Sequence, residues 1–417
     1  MFEKLTKNFL WLLLDRSIRI IFGIFIGAWI ARYLGPENYG ILMYVIAYVA
    51  LFATAGNLGL DGILLRKFSK NADSSQRIIN TTLVLRIIAG IILWIITSLS
   101  ILYFEGNSTI FYFVCLLGLM IPFQSFDVFE IWFQSQSENR KSVISRLTAL
   151  LVCGMIKIFL ILMNFNIVYF IIITAFETIL TAFLFIVFYR KKHKFKFALD
   201  VNISKSLLNE SWPFILSGVS ILLYMRVDLL LIKYFLNLEQ VGIYSVGIIL
   251  SQFWYFLPVI ISTVIAPKLA KAMKKDETYF NKLIRYYMLL FFLLGISIFI
   301  FTFMFGTILI NLLYGEDYEA ASKVLLIHSV TNIPVCMGVI AQLWIINQKK
   351  GVTYFKKTIM GLIVSIIANI ILIPKYGIIG ASYSAVLAQF VSAFFSNYFF
   401  VKPLFFLQLG FKIRNDS

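Results

Sequence analysis

Apolar residues run along this chain in long blocks, and the polar residues gather in the gaps between them. A helix needs about 20 mostly apolar residues to cross the hydrocarbon core of a bilayer. On that measure the sequence predicts spans near 9–33, 39–63, 78–103, 109–133, 143–163, 167–189, 212–236, 241–266, 285–313, 320–346, 353–373 and 377–401. The expected fold class is all-α integral membrane, with about twelve transmembrane helices. Pro122, Pro258, Pro334, Gly56 and Gly59 fall inside spans, where they predict bends. Gly23 and Gly27 form a GxxxG pair, which predicts close helix packing.

Composition agrees with the pattern. Of 417 residues, 60% are hydrophobic and 14% charged, against about 25% charged in an ordinary soluble domain. That is too little charge to coat a water-exposed surface, so lipid must solvate the remainder. The net charge of +17 is distributed as membrane topology requires. Arg66, Lys67, Lys70 and Arg77 share one gap, the stretch 190–205 is basic, and Lys268, Lys271, Lys274, Lys275, Lys282 and Arg285 share another. The alternate gaps, 35–38, 105–108, 164–166, 237–240, 314–319 and 374–376, are nearly bare of base. The asymmetry puts the basic gaps and both termini in the cytoplasm. Base dispersed in this way does not form the single patch of a nucleic-acid protein, and no nucleic acid is expected. The first apolar run carries Asp15, Arg16 and Arg19, so it reads as a span and not as a cleavable signal peptide. Cys115, Cys153 and Cys336 lie in apolar runs, and His193 and His328 have no partner at ligand spacing, so neither metal nor cofactor is expected.

A short repeat marks the midpoint. Arg32-Tyr33 precedes Glu37-Asn38-Tyr39-Gly40-Ile41, and Lys233-Tyr234 precedes Glu239-Gln240-Val241-Gly242-Ile243, with one residue inserted. Both copies fall where the first and second helices of a six-helix half meet. The chain is therefore expected to form two lobes, 1–200 and 201–417, as in transporters built from parallel repeats.

Ionisable residues inside spans carry the functional argument, because each costs about 2.5–3.5 kcal/mol at the bilayer centre. The candidates for anion binding are Arg16, Arg19, Arg86, Lys157 and Arg226. With a rise of about 1.5 Å per residue, Arg19 and Arg86 fall roughly 12–15 Å in from the cytoplasmic side and Lys157 and Arg226 roughly 20 Å in, a ladder of positive charge. Asp15, Asp127, Glu130, Glu177 and Asp228 are the acidic candidates, for ion coupling or for lining a cavity. Each also has a structural reading. Asp15 and Arg19 are spaced i,i+4 and can serve each other, and Arg16 can snorkel to the interface. Asp127 and Glu130 can hold Arg19 or Arg86, or take up a proton or Na⁺. Lys157 and Glu177 on consecutive helices suit a buried pair, and Arg226 and Asp228 point to different faces. His328 reads as a hydrogen-bonded core residue. Surplus base in the ladder suits an anionic substrate, phosphate above all. Complete neutralisation by the acidic residues is the alternative.

The chain has no GxxxxGK[ST], HExxH or GxSxG, and its bare gaps are too short to hold an outer active site. A transporter is expected, not an enzyme, and a membrane-embedded polysaccharide polymerase or ligase would need a large outer loop.

Three stretches resemble a known family. ARYLGPENYGILMYVIAYVALFATAGNLGLDGILLRKFSK (31–70), YMRVDLLLIKYFLNLEQVGIYSVG (224–247) and PKYGIIGASYSAVLAQ (374–389) resemble the polysaccharide transporter family. It includes the Wzx-type O-antigen and capsule flippases of the multidrug/oligosaccharidyl-lipid/polysaccharide exporter superfamily. The resemblance implies two six-helix lobes around a central V-shaped cavity in the bacterial cytoplasmic (inner) membrane. It also implies a lipid-linked oligosaccharide on undecaprenyl pyrophosphate as substrate, flipped to the outer leaflet for surface polysaccharide assembly. Membrane lipids, a polysaccharide polymerase and chain-length machinery would be the partners. A cation-coupled exporter of drugs or small molecules in the same superfamily is the competing expectation.

Overall fold

The computed structural model describes residues 2–70, 72–194, 196–348 and 350–411, with the side chains of 2–17, 20, 70, 72–74 and 351 set aside. It is helical throughout, with no strand among the described residues. In chain order the helices are α1 (Phe2–Gly56), α2 (Asp61–Lys70), α3 (Ala72–Glu105), α4 (Thr109–Gly118), α5 (Met120–Phe123), α6 (Asp127–Ser135), α7 (Asn139–Leu162), α8 (Ile167–Arg190) and α9 (Val201–Phe235). There follow α10 (Leu238–Phe253), α11 (Phe256–Lys275), α12 (Glu277–Tyr314), α13 (Ala321–Ser329), α14 (Asn332–Asn347), α15 (Gly351–Tyr376), α16 (Ile378–Phe390), α17 (Ser396–Phe400) and α18 (Lys402–Gln408).

Eleven stretches among the described residues are long and apolar enough to cross a membrane. The first is two helices: α1 breaks at Gly35, whose φ of 71° and ψ of 169° no helix contains, and Pro36 opens the next segment. Counting both halves gives the expected twelve. Outward residues such as Phe25, Leu99, Phe303 and Leu312 are more than half exposed, as a lipid-facing surface requires.

The chain divides into two compact units. One comprises 1–34 and 41–222, the other 35–40 and 223–417. In the first unit, Leu60, Leu64 and Phe68 of the α2 region pack with Phe129, Trp132 and Phe133 of α6 and with Phe185 and Tyr189 of α8. Phe129 stacks on Tyr189 at 4.4 Å between ring centroids. In the second unit the core joins Leu269 of α11, Ile284 and Phe291 of α12, Ile340 and Trp344 of α14, and Leu404 and Leu407 of α18.

Local chemistry shifts some predicted boundaries. The second span ends at Gly56, short of the expected 63, because Leu58 and Gly59 take φ of 53° and 59° and turn the chain into α2. A Cβ on Gly59 would stand 2.7 Å from the Ile215 backbone nitrogen, so that turn needs glycine on both counts. The basic connection after α8 is tied down. Asn80 and Thr81 of α3 accept hydrogen bonds from the backbone of Lys196 (3.1 Å) and Asp200 (3.3 Å), and Asp200 caps α9 through the amides of Asn202 and Ile203. The GxxxG expectation fails: a Cβ at Gly23 or Gly27 would meet nothing within 4 Å among the described residues.

Candidate functional site

One cluster of charges lies in the first unit, where α2, α3, α6 and α7 converge. Asp61 opens α2 directly after the Leu58–Gly59 turn. Its Oδ1 accepts a 2.6 Å hydrogen bond from Nη2 of Arg86 on α3. Arg86 is fully buried, whereas the Asp61 side chain is 65% exposed. The remaining Arg86 nitrogens, Nε and Nη1, have no hydrogen-bond partner among the described residues. A buried guanidinium held at one corner is costly to keep.

Two further carboxylates, Asp127 and Glu130, occupy the first turn of α6, which continues a helical segment from Met120. Glu130 accepts from Arg146 of α7 through Oε2 and from Gln134 at 3.3 Å through Oε1. Asp127, half-buried, makes no ion pair or hydrogen bond among the described residues and lies within the electrostatic reach of Arg146, Glu130, Arg86 and Asp61. A cavity of about 240 Å³ lined by Asn57, Asp61, Asp127, Glu130, Gln134 and Arg146 opens beside them. Three carboxylates thus face two guanidiniums. Asp61 and Arg146, not among the candidates named from the sequence, add one acid and one base to Asp127, Glu130 and Arg86, so acid exceeds base in this cluster with or without them. The expected partner of Asp127 and Glu130, Arg19 or Arg86, is also replaced: Glu130 pairs with Arg146 and Arg86 with Asp61. Asp61 opens a short helix that the expected second span had absorbed, and Arg146 sits about two turns into α7, inside the expected span 143–163.

Lys157 of α7 donates to Glu177 of α8 at 2.9 Å, the cross-helix pair that the sequence suggested. Arg19 is half-buried in α1, and the side chains of Asp15 and Arg16 lie outside the described residues.

In the second unit, Asp228 of α9 is buried and receives Tyr244 Oη at 2.6 Å and the Leu229 amide at 2.8 Å. Arg226, half-buried, holds no ion pair among the described residues, though it acts electrostatically on Asp228, Tyr39 and Tyr244. A polar seam continues through Tyr255, which shares a 2.8 Å hydrogen bond with Thr331, and through buried His328, whose Nδ1 lies 2.9 Å from Ser251 Oγ. His328 is a hydrogen-bonded core residue, as its surroundings in the sequence suggested.

Apolar helices with paired and partly paired charges buried among them are the architecture of a multi-pass membrane protein. Comparison with solved structures agrees on the fold. The inward closed conformation of the Lipid II flippase MurJ superposes with a TM-score of 0.78 at 17% identity, over 96% of this chain and 90% of that one. A multidrug resistance MATE family transporter of the MOP superfamily, inward-facing, gives 0.71 at 13% identity over 95% and 98%. The family model for polysaccharide biosynthesis proteins matches residues 5–273, and that for the Lipid II flippase MurJ matches residues 246–414. The chain belongs to the polysaccharide biosynthesis protein family, the Wzx-type branch of the multidrug/oligosaccharidyl-lipid/polysaccharide exporter superfamily. A candidate O-antigen transporter of Shigella dysenteriae is 20% identical over 94% of this chain and 98% of its own length. The capsular polysaccharide biosynthesis protein CapF of Staphylococcus aureus is 32% identical over 35% of this chain and 37% of its own length. These relatives and neighbours are described as transporters, flippases and polysaccharide biosynthesis proteins, and none of those descriptions names a catalyst.

Proposed function

We propose that this chain flips undecaprenyl-pyrophosphate-linked oligosaccharide units from the cytoplasmic to the outer leaflet of a bacterial inner membrane, with both termini cytoplasmic. The observation that carries the reading is the pair of family matches that together run from residue 5 to residue 414, one for polysaccharide biosynthesis and one for a lipid flippase. On this reading the lobes 1–200 and 201–417 alternate access, and the flipped units pass to a polymerase and chain-length machinery. The anion-binding set begins with Arg226, which has no ion pair among the described residues, together with Arg16 and Arg19. Arg86 and Lys157 join it only by exchanging Asp61 and Glu177 for phosphate oxygens, which an Arg fork or a Lys ammonium can do. Of the acidic candidates, Asp15, Glu130, Glu177 and Asp228 serve as structural or cavity groups, and Asp127 takes up a cation.

A cation-coupled exporter is the second reading. The Asp127 carboxylate beside a cavity, with no ion pair among the described residues, and the MATE fold neighbour favour it.

Deletion followed by leaflet-resolved analysis of lipid-linked sugars separates the two. Complete, unpolymerised units should accumulate in the cytoplasmic leaflet. Normal arrival of units at the outer leaflet would refute the flippase reading, and drug sensitivity in its place would support the exporter.

A further inference from the structure

The second unit contains a cavity of about 720 Å³ between α12, α14, the end of α16 and α18. Its size falls within the roughly 300–1,000 Å³ typical of sites for small ligands. The walls are apolar, with Leu289, Phe292, Met337 and Phe395 among them, while Lys282 and Arg285 stand at one end. Spaced i,i+3, these two cations share a face of α12, Lys282 exposed and Arg285 half-buried. Neither holds an ion pair among the described residues. From Lys282 to Phe292 the apolar wall runs about 15 Å along the helix.

The groove is built rather than left over. At the end of α16 the chain widens into a π-helical turn, Val391–Phe395, a feature that often marks a functional position. The turn is locked to α18 by a buried amide. Gln408 Nε2 donates to the Ala393 carbonyl at 3.0 Å, and Gln408 Oε1 accepts from Asn397 at 2.7 Å. Leu404 and Leu407 are buried beneath α18 and fix the third wall. At the other end of the contact, Gly295 lets α12 approach α14 so closely that a Cβ there would stand 2.7 Å from Ile333 Cα.

An apolar trough in a membrane protein faces lipid, and two cations at one end, with no ion pair among the described residues, select a lipid with a negative headgroup. We propose that this groove is a specific site for an anionic glycerophospholipid, its phosphodiester held by Lys282 and Arg285 and an acyl chain laid along Phe292, Met337 and Phe395. The proposal depends on the chain's membrane location and stands whatever the transported substrate is.

Native mass spectrometry of the full chain in detergent tests it, with phosphatidylglycerol and phosphatidylcholine of identical acyl chains as probes. The wild type should retain one phosphatidylglycerol under conditions that strip phosphatidylcholine. Lys282→Ala/Arg285→Ala should weaken that retention about 30-fold, on the order of two headgroup contacts, while Lys271→Ala/Lys274→Ala should leave it unchanged. Leu289→Trp, which crowds the trough but keeps both charges, should weaken it as well. Equal retention of the two lipids, or no loss in either groove variant, overturns the site. Complete displacement by inorganic phosphate at millimolar concentration would reduce it to an anion site without an acyl groove, and so overturns it too.

Discussion

Gly40 and Gly242, matched positions of the internal repeat, pack backbone against backbone. A Cβ on Gly40 would overlap the Leu238 carbonyl oxygen and lie 2.9 Å from the Gly242 nitrogen; one on Gly242 would overlap the Pro36 carbonyl oxygen and lie 3.0 Å from the Gly40 nitrogen. Neither neighbour is a flexible side chain, so neither can yield.

Gly40→Ala and Gly242→Ala should therefore each destabilise the folded protein by about 1–3 kcal/mol, the usual cost of overpacking. Gly27→Ala, where the added Cβ meets nothing within 4 Å, is the control. Thermal unfolding in detergent should separate the first two from the third. Equal stability of all three variants would mean that the contact is not held in the folded protein.

Pairing of Arg86 with Asp61 predicts an asymmetric response. Removing the acid leaves a fully buried guanidinium without a counter-ion. Removing the base leaves a carboxylate that is mostly in water. Asp61→Asn should cost on the order of 2 kcal/mol, between the values for exposed and buried pairs, and Arg86→Met should cost less. A denaturation series on the two single variants and the double variant measures the coupling directly. The idea is wrong if Arg86→Met is the more damaging of the two.

The two first-turn carboxylates of α6 should also part company. Glu130→Gln removes the ion-pair partner of Arg146 and should lower stability. Asp127→Asn breaks no ion pair or hydrogen bond among the described residues and should leave stability within about 0.5 kcal/mol, as for a site with no named interaction to lose. Asp127→Asn that folds normally but no longer complements a deletion strain would place Asp127 in the transport step.

How much of this could be read from the chain depends on the range of the interaction. The spans were legible because hydrophobic length is a one-dimensional signal, and the repeat because its motif recurs in order. Lys157 and Glu177 were legible as a pair because consecutive helices must be neighbours. The partners of Arg86 and Glu130 were not. Asp61 reaches Arg86 only because two left-handed residues end the second span early, and Arg146 reaches Glu130 only after the Ser137 turn, at φ 55°, brings α7 alongside α6. Backbone turns of that kind leave only faint traces in composition.

Glu138, in the turn between α6 and α7, gives a pH prediction. Burial would raise its carboxyl pKa, but hydrogen bonds from Lys141 and from Lys192 (3.1 Å) outweigh that and hold it below the ordinary glutamate value. A depressed pKa contributes stability above the unfolded value, about 4.3, and that contribution fades as pH falls through the folded-state value. Wild type should therefore exceed Glu138→Gln in stability at pH 7, with the gap closing below about pH 4. High salt should narrow the gap at pH 7, since both lysines are partly exposed. A gap that widens on acidification would contradict the assignment.

Charge reversal separates a cation held by an ion pair from one proposed to bind substrate. Lys157 already has Glu177 at 2.9 Å, so Lys157→Glu should fail, and Lys157→Glu/Glu177→Lys should recover much of the folded protein, because the pair is remade with its order exchanged. Arg226 has no ion pair of that kind among the described residues. Arg226→Ala should insert and fold with little loss, and its transport defect should be eased by Arg226→Lys rather than by any second-site acid. Membrane yield and complementation, measured side by side for the two sets, give the answer. If Arg226→Ala complements as well as the wild type, the anion-binding role passes to the cations of α1. Failure of the exchanged Lys157/Glu177 pair to restore folding would mean that the two sites differ in more than charge, since the same ammonium and carboxylate would then meet with different packing around each stem.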